Sequence, residues 1–273
     1  MLWHLRDFLP ELVLIGGWVP HLYRMYGPFT EWRSDLAFTE EFDLLVETRG
    51  ATATRPQSLA ATLSEAGFSP VDEGAAVWQS AAPASQRIEF MTPHRGVARS
   101  VAIVVRLEEH PGMGALALEG LDLLRDFTVE IDVPAGMQAD QLATVRVRVP
   151  TVGAYILSKA VTFPRRPAEA VGAGQPRRAK DILYMRDILS AGPEVVEKLE
   201  QDVHTIAATH HRAAVRTARS NVYLLLRRAM SGNLMESAEM LAERDRISQT
   251  SARADLEGHM TDLHEILEKA SGE

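Results

Sequence analysis

The sequence predicts an α+β protein, in which a mixed sheet flanked by helices is followed by a helical domain. Up to residue 149, short apolar or alternating runs are separated by Gly/Pro turns and a few amphipathic segments, as in strands joined by turns and helices. After Pro150, apolar residues recur at helical spacing almost to the end of the chain. We therefore predict an α/β domain at residues 1–149 and a helical domain at residues 150–273.

The first elements are predicted to be a strand, a glycine turn and a helix. The apolar run Leu12–Ile15 ends at Gly16 and Gly17, and an amphipathic segment follows at residues 18–26. Glycines let the backbone turn sharply and approach a phosphate closely. The unpaired N–H groups at the start of a helix point towards such an anion. This turn is therefore suited to binding phosphate.

The second strand carries acidic residues at alternate positions. Glu41 and Asp43 lie in segment 39–46, so their side chains point to one face of the strand, about 6–7 Å apart. Magnesium takes oxygen ligands, commonly one or two carboxylates together with substrate phosphates. We therefore predict a Mg²⁺ site at Glu41 and Asp43, beside the glycine turn.

The remaining elements follow in chain order, with a loop rich in proline and glycine at residues 164–176. The other predicted strands are 68–71, 75–79, 87–91, 101–106, 115–118, 127–133 and 145–149, with a turn at 134–136. The predicted helices besides 18–26 are 2–9, 58–66, 151–163, 178–192, 194–225 and 235–269.

Composition narrows the range of functions. The 273 residues are 46% hydrophobic and 24% charged, as expected of a globular protein with a large core. We expect no signal peptide and no membrane span, and the absence of cysteine excludes disulfides and thiolate metal ligands, which favours the cytoplasm. The net charge of −8 opposes general coating of nucleic acid and leaves room only for a local basic patch.

These motifs together resemble the nucleotidyltransferase fold superfamily, and most closely its AbiEii/AbiGii-type branch, which includes the MenT-like toxins. The matching residues are Leu-Ile-Gly-Gly-Trp at 14–18, Thr39-x-Glu41-Phe42-Asp43-Leu44-Leu45-Val46, Tyr155 to Ala160, and Lys180-Asp181. The resemblance implies a nucleotidyltransferase-type sheet domain that moves a nucleoside monophosphate from a nucleoside triphosphate to an acceptor.

The resemblance also assigns roles in the first domain. Glu41 and Asp43 would hold Mg²⁺, and Gly16 and Gly17 would cradle the phosphates. Glu89, in the alternating strand 87–91, stands where related proteins carry a third acidic residue. From its own pattern, Glu89 is equally well explained as a solvated carboxylate on a half-buried strand.

In the second domain the resemblance points to Lys159 and Asp181, which flank the proline-rich loop. Lys159 would bind the β- and γ-phosphates, because a fixed ammonium neutralises charge on the transferring phosphoryl oxygens. Asp181 would orient Lys159 or assist the acceptor. Arg165, beside the loop, would grip a nucleotide or RNA phosphate, or would simply be a solvated charge.

Two departures from the family pattern keep other functions open. Ala37 stands where relatives usually carry arginine, and Glu41 stands where the first metal ligand is usually aspartate. The chain is therefore an active enzyme, a degenerate nucleotide-binding or regulatory protein, or a helical interaction module. For an active enzyme the acceptor would be RNA, particularly a tRNA end, a protein hydroxyl or an antibiotic. A toxin would also imply an antitoxin partner.

Three further features are predicted to lie on the surface. Asp187 is expected to be an exposed carboxylate of an amphipathic helix, and His210 and His211 are expected to lie on a surface helix. The arginines between residues 212 and 228 form a basic cluster that would meet an RNA acceptor. A solvated face or internal ion pairs explain these arginines equally well.

Overall fold

In the computed structural model, the described residues divide into a sheet-containing unit and a helical unit. The structure describes residues 1–27, 41–46, 57–71, 74–81, 86–94, 103–138, 141–165, 177–227 and 231–272. The described part of the first unit lies between Met1 and Pro150, and that of the second between Thr151 and Gly272. The predicted α+β class is confirmed.

Nine strands form one mixed sheet in the described part of the first unit. They are β1 (Leu12–Ile15), β2 (Glu41–Val46), β3 (Phe68–Pro70), β4 (Val77–Ser80), β5 (Arg87–Pro93), β6 (Ile103–Arg106), β7 (Gly114–Leu118), β8 (Thr128–Gln138) and β9 (Gln141–Pro150). Their order is β3-β4-β5-β2-β1-β9-β8, with β7 also paired to β5 and β6 paired to β7.

In the centre of the sheet, the glycine turn after β1 and the acidic residues of β2 lie at the same end of the two strands. Strand β2 runs antiparallel to β1 and parallel to β5. The last residue of β1, Ile15, therefore pairs with Asp43, near the start of β2. All four residues of β1 are buried, as are the last three of β2, so the core anchors both strands.

Two local predictions in this unit are wrong. The predicted turn at 134–136 is a register shift between Pro134 and Gly136 inside the continuous strand β8. A bulge accommodates a proline, which cannot donate a ladder hydrogen bond. In place of the predicted helix at 2–9, turns precede a 3-10 helix at Leu9–Glu11.

Three α-helices are described in the first unit, namely α1 (Trp18–Tyr26), α2 (Leu59–Glu65) and α3 (Leu121–Asp126). Tyr23 connects α1 to the end of β9, because its hydroxyl donates a hydrogen bond to the backbone oxygen of Pro150. Ser58 caps the start of α2, because its hydroxyl accepts a hydrogen bond from the Ala61 N–H at 3.2 Å.

Six α-helices are described in the second unit. They are α4 (Val152–Thr162), α5 (Arg177–Leu189), α6 (Pro193–Ala207), α7 (Arg212–Leu226), α8 (Ser231–Asp245) and α9 (Gln249–Ser271), with a 3-10 helix at Phe163–Arg165 after α4. Residues 152–160 of α4 are all buried, because α5, α6 and α7 pack around this helix. None of the helices that the structure describes has both the length and the hydropathy that a membrane span requires.

Each of the two long predicted helices is in fact two helices. The predicted helix 194–225 breaks between α6 and α7, and 235–269 breaks between α8 and α9. At the second break, Arg246 has a left-handed φ of 55°. Ser248 then caps α9 by accepting a hydrogen bond from the Ser251 N–H at 3.1 Å. Neither break contains glycine or proline, which is why the pattern concealed both.

The start of α4 depends on a close approach by α6. Asp202 accepts a hydrogen bond from the Gly153 N–H at 3.0 Å, and so satisfies one of the unpaired donors at the helix start. A Cβ at Gly153 would overlap the Cβ of Asp202. Glycine at this position therefore permits the packing that orients α4.

Candidate functional site

The predicted acidic residues of the first unit meet on one face of the sheet. In the parallel pairing of β2 with β5, Glu41 lies opposite Arg87 and Asp43 lies opposite Glu89. Side chains at alternate positions of neighbouring strands point the same way, so all four share one face. The structure thus brings Glu89 beside the two acids of β2.

The Asp43 carboxylate lies directly against the glycine turn. Gly16 has a φ of +72°, and a Cβ built on it would overlap Asp43 Oδ2 and lie 2.8 Å from Asp43 Cγ. Glycine is required here for two reasons, the left-handed backbone and the space that the carboxylate occupies. Gly17, the N-cap of α1, has an ordinary helical φ of −71°, so its backbone conformation does not require glycine.

An aromatic stack joins the start of α1 to the acidic strand. The rings of Trp18 and Phe42 are stacked, with centroids 4.6 Å apart and planes at 10°. Trp18 directly follows the glycine pair, and Phe42 lies between Glu41 and Asp43 in the sequence. This contact fixes the turn relative to β2, and sequence reasoning gave neither ring a role. The only available signal was an aromatic residue beside each motif.

Among the described residues, the face that carries Glu41, Asp43 and Glu89, here called the acidic face, also carries the cation Arg87. A terminal guanidinium nitrogen of Arg87 lies 2.8 Å from Glu89 Oε1, and Arg87 Nε lies 4.0 Å from Glu41 Oε1. The Glu89 side chain is only 10% exposed, whereas those of Arg87 and Glu41 are 43% exposed. Glu89 is therefore a buried, ion-paired carboxylate, and the alternative of a solvated one does not describe it.

The donor chemistry of this face fits Mg²⁺. Glu41, Asp43 and Glu89 offer only carboxylate oxygens, which are the ligands that this ion prefers. Among the described residues, however, these three do not form a group with one oxygen from each within 4.8 Å of the others. Arg87 holds Glu89, so the carboxylates would have to converge before all three could bind one ion.

In the second unit, the structure brings the predicted pair Lys159 and Asp181 together. The ammonium of Lys159 donates to Asp181 Oδ1 at 2.7 Å, across helices α4 and α5. Both side chains are buried, with exposed fractions of 9% and 5%. The Lys159 nitrogen also lies 5.1 Å from the ring centre of Tyr184 and 5.5 Å from that of Tyr155. The sequence predicted no role for either ring beside Lys159, and both present a negative π-face to the cation.

Other predicted positions lie partly or wholly outside the described residues. Arg165 ends the 3-10 helix after α4, but its side chain is outside the described part. Thr39 and Ala37, which bear on the acidic motif, also lie outside it.

Asp187 is buried, so its predicted surface location is wrong. Its two oxygens accept from Arg244 of α8 at 2.7 and 2.9 Å, while Arg186 binds Asp255 of α9 at 2.6 Å. Burial alone lowers the pKa of Arg244, but hydrogen bonds to Asp187 and Asp245 outweigh it, so this pKa is raised. The network ties α5 to α8 and α9. Arg244 lies 57 residues from Asp187 in the sequence, so the helical pattern of α5 could not reveal this contact.

The arginines of α7 are engaged in part within the helical unit. Arg212 donates to the backbone oxygen of Ser271 at 3.1 Å, and Arg219 donates to the Ser271 hydroxyl at 3.3 Å. Arg227 lies 5.2 Å from the ring centre of Tyr223. The first two arginines thus bind the C-terminal end of α9, as internal contacts. His210 and His211 lie in the turn before α7, not on a helix as predicted.

The chain matches the sequence model of a known protein family. A sequence model of the family described as nucleotidyltransferase matches residues 2–210 of the 273-residue chain. The matched range contains every candidate residue named above, from Gly16 to Asp181. No curated protein and no solved structure gives a significant match. The match confirms the resemblance at the level of the family, while the narrower AbiEii- or MenT-like assignment stays a prediction.

Proposed function

The chain belongs to the nucleotidyltransferase family, and we propose that its acidic face transfers a nucleoside monophosphate from a nucleoside triphosphate to an acceptor hydroxyl. Family membership supports the general reaction and the triphosphate substrate. The proposal adds the residues, the metal and the acceptor. The observation that carries it is the contact of Asp43 with Gly16, because this contact joins the predicted metal ligand to the predicted phosphate turn.

The proposed reaction requires neutralisation of the negative charge on the oxygens that enter and leave at the α-phosphate. The acceptor oxygen forms a bond to the α-phosphorus, the bond from that phosphorus to the bridging oxygen breaks, and pyrophosphate leaves. The hydroxyl proton passes to solvent. Bound Mg²⁺ supplies charge neutralisation for the entering and leaving oxygens. Glu41 and Asp43 would hold the ion, and Glu89 would join them as a third ligand.

The chain's own residues set the geometry of this site. Gly16 leaves room for the Asp43 carboxylate against the turn, so the proposed metal ligand would lie beside the phosphates. The Trp18–Phe42 stack holds the start of α1 against β2, which limits movement of the turn relative to the carboxylates. Lys159 and Asp181 form a buried pair in the helical unit. The role of Lys159 in binding the triphosphate stays a prediction.

The acceptor is proposed from the resemblance alone. The motifs at 14–18 and 39–46 resemble those of toxin nucleotidyltransferases, which favours RNA, particularly a tRNA end, or a protein hydroxyl. A role in a toxin–antitoxin pair follows from the same resemblance. A small-molecule acceptor such as an antibiotic is the remaining class, and the transfer assay distinguishes it.

The experiment is a transfer assay with a matched pair of variants. The purified chain is incubated with each labelled nucleoside triphosphate, Mg²⁺, and total cellular RNA, total protein or an aminoglycoside. Asp43→Asn tests the site, and Asp132→Asn is the control, because Asp132 is an exposed carboxylate on β8 of the same sheet that binds Arg146 at 3.0 Å. We expect transfer by the native chain and the control, and a fall of about 100-fold or more in Asp43→Asn.

Each result has a clear meaning. The labelled fraction identifies the acceptor class. Equal transfer by Asp43→Asn and the native chain would refute the proposed site. Nucleotide binding that requires Mg²⁺ and Asp43, without transfer to any acceptor, would replace the enzyme with a degenerate nucleotide-binding protein. Loss of transfer in both variants would mean that the effect is not specific to the acidic face.

A further inference from the structure

The acidic face contains a cation to which the proposed reaction gives no role. Arg87 is the first residue of β5, two positions before Glu89 and directly opposite Glu41 in the sheet register. This placement puts its guanidinium between the two carboxylates, at 2.8 Å from Glu89 Oε1 and 4.0 Å from Glu41 Oε1. The β-strand period of two fixes this arrangement, because residues 87 and 89 must share a face.

Glu89 needs a positive charge at this position. Its side chain is 90% buried, and an isolated carboxylate is costly to remove from water. While the face holds no metal, Arg87 supplies that charge. A divalent cation bound by the same carboxylates would supply it instead, so the metal and Arg87 satisfy the same requirement.

The contact made by Arg87 has the features of an exchangeable pair. A terminal guanidinium nitrogen of Arg87 forms an ion pair with Glu89, and among the described residues the buried Nε of Arg87 has no hydrogen-bond partner. By contrast, Arg244 binds both oxygens of the fully buried Asp187 and is only 17% exposed. Bidentate pairs are the stronger and more rigid ones. Arg87, at 43% exposure, can move into solvent without crossing the core.

We propose that Arg87 is a displaceable counter-cation of the acidic face, which holds Glu89 until a divalent metal ion takes its place. The inference rests on the proposed function, since it concerns the metal that this function requires. Arg87 is thus a positioning residue that sets the affinity for the metal, and Glu89 becomes a ligand only after the ion pair opens. It follows that the native chain binds the metal weakly in the absence of nucleotide.

The size of the effect follows from Coulomb's law. A divalent ion about 6 Å from a single positive charge, in a medium with the dielectric constant of water, is repelled enough to lower its affinity about tenfold. Removing the charge of Arg87 should therefore tighten metal binding by about this factor. If Arg87 instead served to orient Glu89 for the metal, its removal would weaken binding, so the sign of the change separates the two roles.

The test measures Mn²⁺ binding without nucleotide, by the electron paramagnetic resonance signal of the free ion. The native chain is compared with Arg87→Gln, Arg87→Lys and the control Arg146→Gln, which removes an exposed arginine paired with Glu130 and Asp132 on the same sheet. We expect Arg87→Gln to bind Mn²⁺ about tenfold more tightly. The other two should remain near the native affinity. Equal or weaker binding by Arg87→Gln would overturn the proposal.

A second measurement uses the native chain, in case Arg87→Gln does not fold. In protein labelled with ¹⁵N-arginine, the Arg87 Nε–H resonance, assigned by its absence in Arg87→Lys, is followed during titration with Mg²⁺. We expect it to move as the ion pair opens, while the resonance of Arg244 stays in place. An unmoved Arg87 resonance at saturating Mg²⁺ would overturn the proposal.

The Asp43→Asn variant separates this inference from the proposed function. If Mn²⁺ binds the native chain, is lost in Asp43→Asn and is unaffected by Arg87→Gln, the metal site stands and only the role of Arg87 fails. If Mn²⁺ binds none of these proteins, the metal part of the proposed function fails, and the role of Arg87 fails with it.

Discussion

Replacing Gly16 with alanine tests whether the glycine turn fixes the position of Asp43. The substitution has two separable effects. A non-glycine residue at a φ of +72° is strained, at a cost of about 1–2 kcal/mol. In addition, the new Cβ would overlap Asp43 Oδ2 and lie 2.8 Å from Asp43 Cγ, so the carboxylate must rotate away from the turn.

These two effects predict different magnitudes for stability and activity. Backbone strain of about 1–2 kcal/mol lowers Tm by roughly 2–8 °C in a chain of this size, because 1 kcal/mol corresponds to about 2–4 °C. Forcing the carboxylate off its rotamer adds about 0.5–1.5 kcal/mol. A displacement of about 1 Å at a catalytic group can reduce the rate about 100-fold. We therefore expect a folded protein that has lost most of its transfer activity and Mn²⁺ binding.

Gly67 provides the matched control for the backbone effect. Its φ is +85°, and among the described residues no atom lies within 4 Å of a Cβ built on it. Gly67→Ala should therefore show a similar strain without displacing any side chain. Thermal unfolding, Mn²⁺ binding and label transfer are measured for both variants. Native activity in Gly16→Ala, or an equal loss in Gly67→Ala, would refute the claim that Gly16 acts through Asp43.

Two further predictions concern the helical unit. Lys159→Met removes the ammonium beside the buried Asp181 and should cost about 3–5 kcal/mol of unfolding free energy. Adding Asp181→Leu should recover most of this loss in urea unfolding, and an unchanged stability of the single variant would contradict the pairing. Burial, opposed in part by Asp255, lowers the pKa of His259. Below about pH 6.5 the unfolded chain therefore binds more protons than the folded chain. The free energy of unfolding is highest above that pH and falls as the pH falls through the folded pKa of His259. His259→Gln should flatten this dependence below about pH 6.5, and an unchanged slope in this variant would contradict the role of His259.

The local elements around the acidic face could be predicted because their signals are local. The apolar run of β1, the glycine pair, the amphipathic α1 and the alternation of Glu41 and Asp43 each lie within a few neighbouring residues. Periodicity gives the face to which a side chain points, and glycine marks the turn. The helix breaks near residues 208 and 247 lacked glycine and proline, so the same reasoning joined helices that the structure separates.

The sequence by itself determined the α+β class, the glycine turn and the acidic face, since each depends on spacing along the chain. Only the tertiary structure decided the partners of those side chains. The position of Arg87 opposite Glu41 depends on the register of β2 and β5, and Asp43 meets Gly16 through the register of β1 and β2. Asp187 is buried because α8 and α9 return to α5 from distant sequence. Periodicity gives the face of a strand or helix to which a side chain points, whereas packing of the whole unit determines which residue that side chain contacts.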